Sequence, residues 1–300
     1  MATRGDYLKL HFLVFLWGFS GILGKLVTIP AYEMVFYRTV LSAAGIALVM
    51  LAVREEFRVQ SKKRIALLLT GSIVGLHWVF FFEAARVSNV SVSLVGFATN
   101  SLWTAILDPF FQKRPVKKFE IMLGLIVILG LYVIFSFNFD YPLGLMLGVL
   151  AGLTSALFAS INSRMVRTVP AYTISFYEMT GAFLFLGLFM PLYQATFAPG
   201  NSLHLVPTGM DWFYMIILAG ACSVYAYTAA VELMKKISVF VIQLSLNLEP
   251  VYGIIMAVLI FGEEEKMGIN FYMGTLIILS AVLVYPFLKK RYSDPVALNP

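Results

Sequence analysis

Charged side chains are scarce in this sequence. Asp, Glu, Lys and Arg make up only 13% of the 300 residues, whereas 60% are hydrophobic. Because a soluble domain has about a quarter of its residues charged, this composition excludes a water-soluble fold and indicates an integral membrane protein. A membrane-spanning helix needs about 20 apolar residues, so the chain has room for about ten spans and for no sizeable soluble domain.

The sequence also has few groups of the kind that perform chemistry. Its only cysteine is Cys222, which excludes an intrachain disulfide, and its three histidines, His11, His77 and His204, lie far apart in the chain. The sequence contains no Walker-type phosphate loop, no H-E-x-x-H or paired-cysteine metal pattern and no G-x-S-x-G nucleophile elbow. We therefore expect no enzyme activity, no catalytic residues, no metal site and no cofactor on this chain.

Apolar stretches separated by polar segments predict ten membrane spans. They lie near residues 7–28, 31–53, 63–86, 89–112, 118–136, 141–165, 171–193, 210–234, 238–261 and 268–288. If the N-terminus is cytoplasmic, the segments on that side hold 18 of the 22 basic residues. Because short cytoplasmic loops are rich in Lys and Arg, we predict cytoplasmic termini in a bacterial-type plasma (inner) membrane. The basic residues form short clusters and no continuous face, so the net charge of +6 predicts no nucleic-acid partner.

Two segments of the sequence are repeated in chain order. Residues 30–40 read PAYEMVFYRTV and residues 170–180 read PAYTISFYEMT, with five identities in place. Residues 90–100, VSVSLVGFATN, match residues 237–247, ISVFVIQLSLN, at a slightly larger offset. Because one such match could arise by chance in so biased a composition, the second match is needed to indicate a duplication.

The duplication predicts two inverted halves. We place the first five-helix repeat at 1–138 and the second at 139–300. Five is an odd number, so the second copy enters the membrane from the opposite side. Inverted repeats are typical of secondary transporters, in which two similar bundles rock about a site near the middle of the membrane. A duplicated scaffold protein is the alternative.

Several residues along the chain resemble those of EamA-type members of the drug/metabolite transporter superfamily. The residues that carry the resemblance are Trp17-Gly18 and Gly24-Lys25 in span 1, Arg38 in span 2, and Leu248-Glu249-Pro250 with Gly262-Glu263 around span 9. The resemblance covers essentially the whole chain and implies an all-α membrane fold of ten helices in two inverted repeats around a central cavity. It also implies that helices 1, 3, 4, 6, 8 and 9 wall this cavity and that helices 5 and 10 are peripheral. Trp103 stands where the family often has a proline in helix 4, so we expect helix 4 to be less bent than helix 9.

Polar and aromatic side chains at mid-membrane depth are the candidate substrate contacts. A polar group in hydrocarbon is costly unless it faces water or a partner, and Asn100 and Asn247 lie near the midplane at matching places in the repeat. Glu249, the one carboxylate near the midplane, could carry a coupling proton or could bond to helix ends. The substrate-binding candidates are Trp17, His77, Phe81, Asn100, Trp103, Ser155, Tyr225, Gln243, Asn247 and Glu249. For each of them ordinary packing between helices is the alternative.

Three further charged residues are predicted to serve as structural or gating charges. Arg38 and Glu178 occupy the same place in the repeat, but they lie at similar depths from opposite faces of the membrane. We therefore expect each to pair with a residue near it and not with the other. These partners are Glu83 for Arg38, and Arg164 or Arg167 for Glu178.

A stripe of small residues lies on span 6. Gly144, Gly148 and Gly152 recur every four residues, and such a stripe lets helix backbones approach closely. The contact could be within the chain or between two copies, so both a monomer and a homodimer are compatible with the sequence.

The favoured function is a secondary transporter, either an exporter or a facilitator, for a small organic metabolite such as an amino acid. The substrate class follows from the resemblance, and alternating access through a midplane cavity follows from the inverted repeat. Its expected partners are a small-molecule substrate and the lipid bilayer. The alternative is a flippase-like protein that moves lipid or a lipid-linked substrate.

Overall fold

The protein is an all-helical bundle. A computed structural model describes residues 2–135, 141–262 and 268–292, and these residues contain no β-strand. Eight of the helices are long and apolar enough to cross a membrane, and two further apolar helices, Lys118–Phe135 and Ile269–Tyr292, accompany them. The predicted fold class, ten transmembrane helices around a central cavity, is therefore confirmed.

We number the helices in chain order. They are helix 1 (Arg4–Leu26), helix 2 (Ala31–Val53), helix 3 (Ser61–Val87), helix 4 (Val90–Gln112), helix 5 (Lys118–Phe135), helix 6 (Pro142–Met165), helix 7 (Ala171–Thr196), helix 8 (Gly209–Leu233), helix 9 (Val239–Phe261) and helix 10 (Ile269–Tyr292). We call the end of the bundle at which helix 1 begins the N-terminal end, and the other end the opposite end.

The repeated PAY motif marks the start of helices 2 and 7. Pro30 and Pro170 are the residues that precede these helices, and both have extended ψ angles. A proline at a helix start costs little, because the N–H that it lacks would have no partner within the helix. The motif therefore sets the same helix boundary in each repeat, as the sequence match predicts.

Helices 4 and 9 are interrupted at the same position. Each consists of an eight-residue segment, a two-residue turn and a 13-residue segment. In helix 4 the turn is tightened by Thr99, whose backbone N–H and hydroxyl both donate to the Gly96 carbonyl, at 3.2 and 2.9 Å. The interruption in helix 4 thus needs no proline, because the hydroxyl of Thr99 stabilises the turn. That helix 4 is less bent than helix 9 stays a prediction.

The matching breaks also correct the register of the repeat. The second segment begins at Asn100 in helix 4 and at Glu249 in helix 9. Asn100 therefore corresponds to Glu249 by its place in the helix. The sequence match had paired it with Asn247, two residues away.

The closest packing between helices occurs at glycines. A Cβ atom on Gly71 of helix 3 would lie 2.1 Å from the carbonyl oxygen of Glu178, and one on Gly181 of helix 7 would lie 2.1 Å from that of Leu68. The small-residue stripe of helix 6 packs in the same way against helix 4, where a Cβ on Gly148 would lie 3.0 Å from the Gly96 Cα. The stripe therefore makes a contact within the chain.

Candidate functional site

A small cavity lies at the centre of the bundle. Its free volume is about 70 Å³, which is enough for several water molecules but well below the several hundred Å³ of a typical ligand pocket. Its lining residues are Trp17, Ser20, Arg38, His77, Trp78, Phe81, Phe82, Phe97, Ser155, Phe158, Ala159, Asn162, Tyr227, Ala230, Val231, Met234, Ile242, Gln243, Leu246 and Glu249. They come from the six helices that the family resemblance implies and, in addition, from helix 2, while the described parts of helices 5 and 10 contribute none.

Aromatic rings form most of the cavity wall. The His77 ring lies 5.6 Å from Phe97 and 5.4 Å from Phe158, and Phe158 continues to Tyr227 at 5.9 Å. His77 Nδ1 is held 2.8 Å from the Ala151 carbonyl, so Nδ1 carries the proton that donates to that oxygen. This hydrogen bond holds the ring in the cavity wall and does not involve Nε2.

Arg38 brings a positive charge to the cavity. Its side chain is only 2% exposed, its Nε donates to Ser223 Oγ at 3.0 Å, and its guanidinium lies over the Trp78 ring at 3.9 Å. The predicted pair with Glu83 is wrong, since Glu83 lies half-buried outside the cavity and forms no ion pair with Arg38. Within the described residues no carboxylate is paired with this guanidinium.

Ser223 reaches Arg38 because helix 8 changes its winding. Residues Leu218–Tyr225 form a π-helix, a form that is rare and often found at functional sites. The Ser223 hydroxyl donates to Leu218 at 3.3 Å and accepts from Arg38, and the neighbouring Cys222 carbonyl accepts the indole N–H of Trp17 at 3.0 Å. The wider winding thus positions one cavity residue from helix 1 and another from helix 2.

Glu249 brings a carboxyl group to the same cavity. It is the first residue of the second segment of helix 9 and is 4% exposed. No ion pair or side-chain hydrogen bond connects its carboxyl group to another described residue. On the preceding turn, Gln243 donates to the carbonyl and hydroxyl oxygens of Ser155, at 3.2 Å each, so helices 6 and 9 are joined beside Glu249.

Six of the ten predicted substrate contacts line the cavity. They are Trp17, His77, Phe81, Ser155, Gln243 and Glu249.

The other four predicted contacts lie elsewhere. Asn247 donates to Ser101 Oγ at 3.0 Å, while the buried side-chain amide of Asn100 has no hydrogen-bond partner among the described residues. Trp103 is half-buried behind the cavity, and Tyr225 is 46% exposed on the outer surface of the bundle, where its ring packs beside Phe12. None of these four lines the cavity in this conformation.

Glu178 has different partners from those predicted. It is fully buried on helix 7, and its Oε2 accepts hydrogen bonds from the Tyr227 hydroxyl at 2.7 Å and from Asn162 Nδ2 at 3.1 Å. The predicted pairs with Arg164 and Arg167 are wrong, because both arginines are exposed at the N-terminal end. Their long side chains face solvent there, whereas Glu178 points between helices 6 and 8.

Sequence reasoning missed Asn162 and Tyr227 as cavity residues. One signal was present, since Asn162 follows Ser155 by seven residues and so lies on the same helix face. No feature of the sequence indicated that both residues bind Glu178.

A second pocket lies at the N-terminal end and shares one lining residue with the cavity. We call it the vestibule, and its volume is about 360 Å³. Its lining residues are Asp108, Gln112, Arg114, Lys117, Glu120, Ser163, Arg167, Met234, Ser238 and Val239. Met234 is the one residue that lines both the vestibule and the cavity.

The vestibule contains an ion-pair cluster. Arg114 lies 2.9 Å from Asp108 and 3.1 Å from Glu120, whose side chains are almost fully buried. Burial by itself lowers the pKa of the Arg114 guanidinium, but the carboxylates of Glu120 and Asp108 raise it by more, so the pKa lies above its ordinary value. The cluster joins the end of helix 4 to the start of helix 5.

The opposite end is closed by polar contacts between loops and helices. Asp211, at the start of helix 8, accepts from the backbone N–H and the hydroxyl of Thr28, at 2.7 and 2.8 Å. The loop before helix 8 lies over helix 2, since the His204 N–H donates to Glu33 at 3.2 Å and the Tyr37 hydroxyl donates to the Leu205 carbonyl at 2.7 Å. The structure thus combines a closed opposite end with a vestibule at the N-terminal end.

Among the described residues, no three His, Cys, Asp or Glu side chains are grouped so that they could hold a metal ion.

Comparison with known proteins places this geometry among transporters. The sequence profile of the EamA-like transporter family matches residues 7–136 and again residues 142–285. The uncharacterized transporter YetK of Bacillus subtilis (strain 168) is 23% identical over 301 residues, which cover 96% of this chain and 88% of YetK. The uncharacterized transporter YxxF of the same organism is 23% identical over 218 residues, 68% of each protein. A solved crystal structure of another protein superimposes with a TM-score of 0.71 at 15% identity, over 98% of this chain and all of that one.

Proposed function

The chain belongs to the EamA-like transporter family of the drug/metabolite transporter superfamily, and from that premise we propose that it is a secondary transporter of small zwitterionic metabolites such as amino acids. As a member of that family it is an integral membrane transporter. The substrate class, the alternating-access mechanism and the direction of transport, as an exporter or facilitator, belong to the proposal.

One observation supports the substrate class above all others. Arg38 and Glu249 line the same small cavity, and neither forms an ion pair with a described residue. A buried charge without a partner is costly, so a solute that carries both a carboxylate and an ammonium group could satisfy both at once. Arg38 would donate two parallel hydrogen bonds to the carboxylate, the geometry that guanidinium favours, and Glu249 would accept hydrogen bonds from the ammonium group.

The walls suit the remainder of such a solute. Phe81, Phe97 and Phe158 offer apolar ring surface, while Ser155 and Gln243 offer polar atoms that could fix orientation. Because the cavity holds only about 70 Å³, binding an amino acid requires it to widen. We propose that it does so when Met234 moves away and the cavity joins the vestibule.

We further propose that the N-terminal end faces the cytoplasm of a cell with a bacterial-type inner membrane. The vestibule then opens to the cytoplasm, which suits a protein that exports or equilibrates internal metabolites. The support is the concentration of basic residues in the segments between helices at this end, the side on which membrane proteins carry Lys and Arg.

Exchange in proteoliposomes tests the substrate class. Vesicles loaded with unlabelled leucine should accumulate radiolabelled leucine, while leucine carboxamide and the corresponding deaminated acid should compete much more weakly, because each lacks one of the two charges. Arg38→Gln and Glu249→Gln should each reduce exchange strongly, whereas Glu232→Gln, which alters a half-exposed carboxyl group outside the cavity, should retain it. Absence of exchange across all amino acids, together with scrambling of fluorescent lipid, would exclude this function and favour the flippase alternative.

A further inference from the structure

We propose that Glu178 is a proton-binding site of this transporter, which holds a proton while the central cavity is closed and exchanges it when water enters the cavity. The ligand of the site is the proton itself. The proposal rests on the proposed function, because it concerns the closure of the same cavity.

The surroundings of Glu178 favour a neutral carboxyl group. Oε2 accepts from both Tyr227 and Asn162, whereas the buried Oε1 has no hydrogen-bond partner among the described residues. This division suits a protonated acid, in which Oε2 is the carbonyl oxygen that accepts two bonds and Oε1 carries the proton. An unpaired buried hydroxyl costs less free energy than an unpaired buried carboxylate.

The helices that pack around Glu178 bring no cation to it. Helix 8 presents Tyr227, helix 6 presents the neutral Asn162, and helix 3 approaches with the backbone of Gly71. The other titratable groups that helices 2 and 3 direct toward this part of the bundle are Arg38, which is bound to Ser223 and Trp78, and His77, which is bound to the Ala151 carbonyl.

A proton has a short route between Glu178 and the cavity. Tyr227 and Asn162 both bond directly to the Glu178 carboxyl group and both line the cavity. Asn162 Nδ2 also lies 3.1 Å from the Tyr227 hydroxyl, so the three groups form one continuous cluster. Water that enters the cavity beside this cluster would take the proton from Oε1, and the bonds that Tyr227 and Asn162 donate to Oε2 would then stabilise the carboxylate.

The balance of charges around the cavity leads to the same result. Two carboxyl groups, those of Glu178 and Glu249, accompany one guanidinium group, that of Arg38. One proton shared out between these two carboxyl groups leaves the site, with Arg38 charged, without net charge. Closure in a low-dielectric interior favours this neutral state.

Infrared spectroscopy of the purified protein tests the proposal without requiring a substrate. The difference between spectra at neutral and alkaline pH should contain a band from a protonated carboxyl group that disappears at alkaline pH. Glu178→Gln should weaken this band, and Glu232→Gln, which alters a half-exposed carboxyl group paired with Lys235, should leave it unchanged. An identical pH-dependent band in wild type and Glu178→Gln would overturn the proposal.

Tyr227→Phe provides a second test if Glu178→Gln fails to fold. Loss of the hydroxyl removes a hydrogen-bond donor that stabilises the ionised carboxylate, so the band should persist to higher pH than in wild type. An unchanged pH dependence in Tyr227→Phe would contradict the proposed site.

Exchange measurements separate this proposal from the proposed function. Leucine exchange by the wild type should fall at alkaline pH, and this fall should be absent in Glu178→Gln. If no amino acid exchanges at any pH but the infrared band behaves as described, the substrate class is wrong and the proton site stands. If exchange occurs with the same pH dependence in wild type and Glu178→Gln, the proton site is wrong and the transport function stands.

Discussion

The guanidinium carbon of Arg38 lies 3.9 Å from the centre of the Trp78 ring. This contact takes the place of the ion pair with Glu83 that the sequence suggested. An aromatic face attracts a cation without neutralising its charge, so Arg38 is held in the cavity wall and remains able to bind an anionic group. The Phe82 ring, 5.4 Å from the same carbon, adds to this support.

Replacing Trp78 should therefore destabilise the protein. We expect Trp78→Leu to lower the free energy of unfolding by roughly 1 to 2 kcal/mol, since a desolvated cation–π contact is of that size, and to lower the melting temperature in a thermal shift assay. Trp212→Leu is the matched control, because Trp212 is partly exposed and contacts only the edge of Tyr37 in its ring pair. Equal shifts in the two variants would contradict a stabilising role of the buried Trp78 ring.

The contact between helices 3 and 7 should tolerate no added methyl group. A Cβ on Gly71 would lie 2.1 Å from the Glu178 carbonyl oxygen, so Gly71→Ala must push the two backbones apart. We expect a loss of about 1 to 3 kcal/mol, as for other overpacked cores, seen as a lower melting temperature. Gly187→Ala on helix 7 should have little effect, since its Cβ would meet Phe36 at 3.4 Å. A stable Gly71→Ala protein would contradict this packing.

Met234 should control access from the vestibule to the cavity. In a Cys222→Ser background, we expect a cysteine placed at Ala159, which is 1% exposed in the cavity wall, to react slowly with a small thiol reagent. Met234→Ala should increase that rate several-fold, because it removes the side chain between the two spaces. Met210→Ala, on the exposed surface of helix 8, should leave the rate unchanged. If Met234→Ala also leaves it unchanged, the cavity opens by another route.

The proposed orientation can be tested with the same cysteine-free background. Arg167→Cys lies at the N-terminal end between helices 6 and 7, and Val206→Cys lies at the opposite end before helix 8, where Val206 is 88% exposed. A membrane-impermeant maleimide should label Val206→Cys in intact cells, and should label Arg167→Cys only after the membrane is permeabilised. The reverse pattern would place the termini outside.

The positions of the helices could be predicted because they depend on local sequence. The lengths of the apolar stretches determine the spans, and Pro30 and Pro170 determine where helices 2 and 7 begin. The glycine stripe of helix 6 likewise identified a face of close packing. What the stripe packs against could not be predicted, since spacing along one helix does not specify the neighbouring helix.

The partners of the buried charges could not be predicted for a different reason. Arg38 is bound to Ser223 because a π-helical segment in helix 8 directs that hydroxyl toward helix 2, and no periodicity in the sequence marks such a segment. Glu178 is bound to Tyr227 and Asn162, which come from two other helices. Pairing by charge type alone led to the arginines nearest in the chain, which are exposed.

The matched interruptions of helices 4 and 9 place two bending points at mirror-related depths. Each follows an eight-residue segment, about 12 Å of helix, but the two segments begin at opposite ends of the bundle. A tilt of the eight-residue segment of helix 9 would widen the bundle at the N-terminal end. The same tilt of the eight-residue segment of helix 4 would widen it at the opposite end. Under the proposed alternating-access mechanism, a single type of motion, carried out in one repeat or in the other, would expose the same central side chains to either side of the membrane.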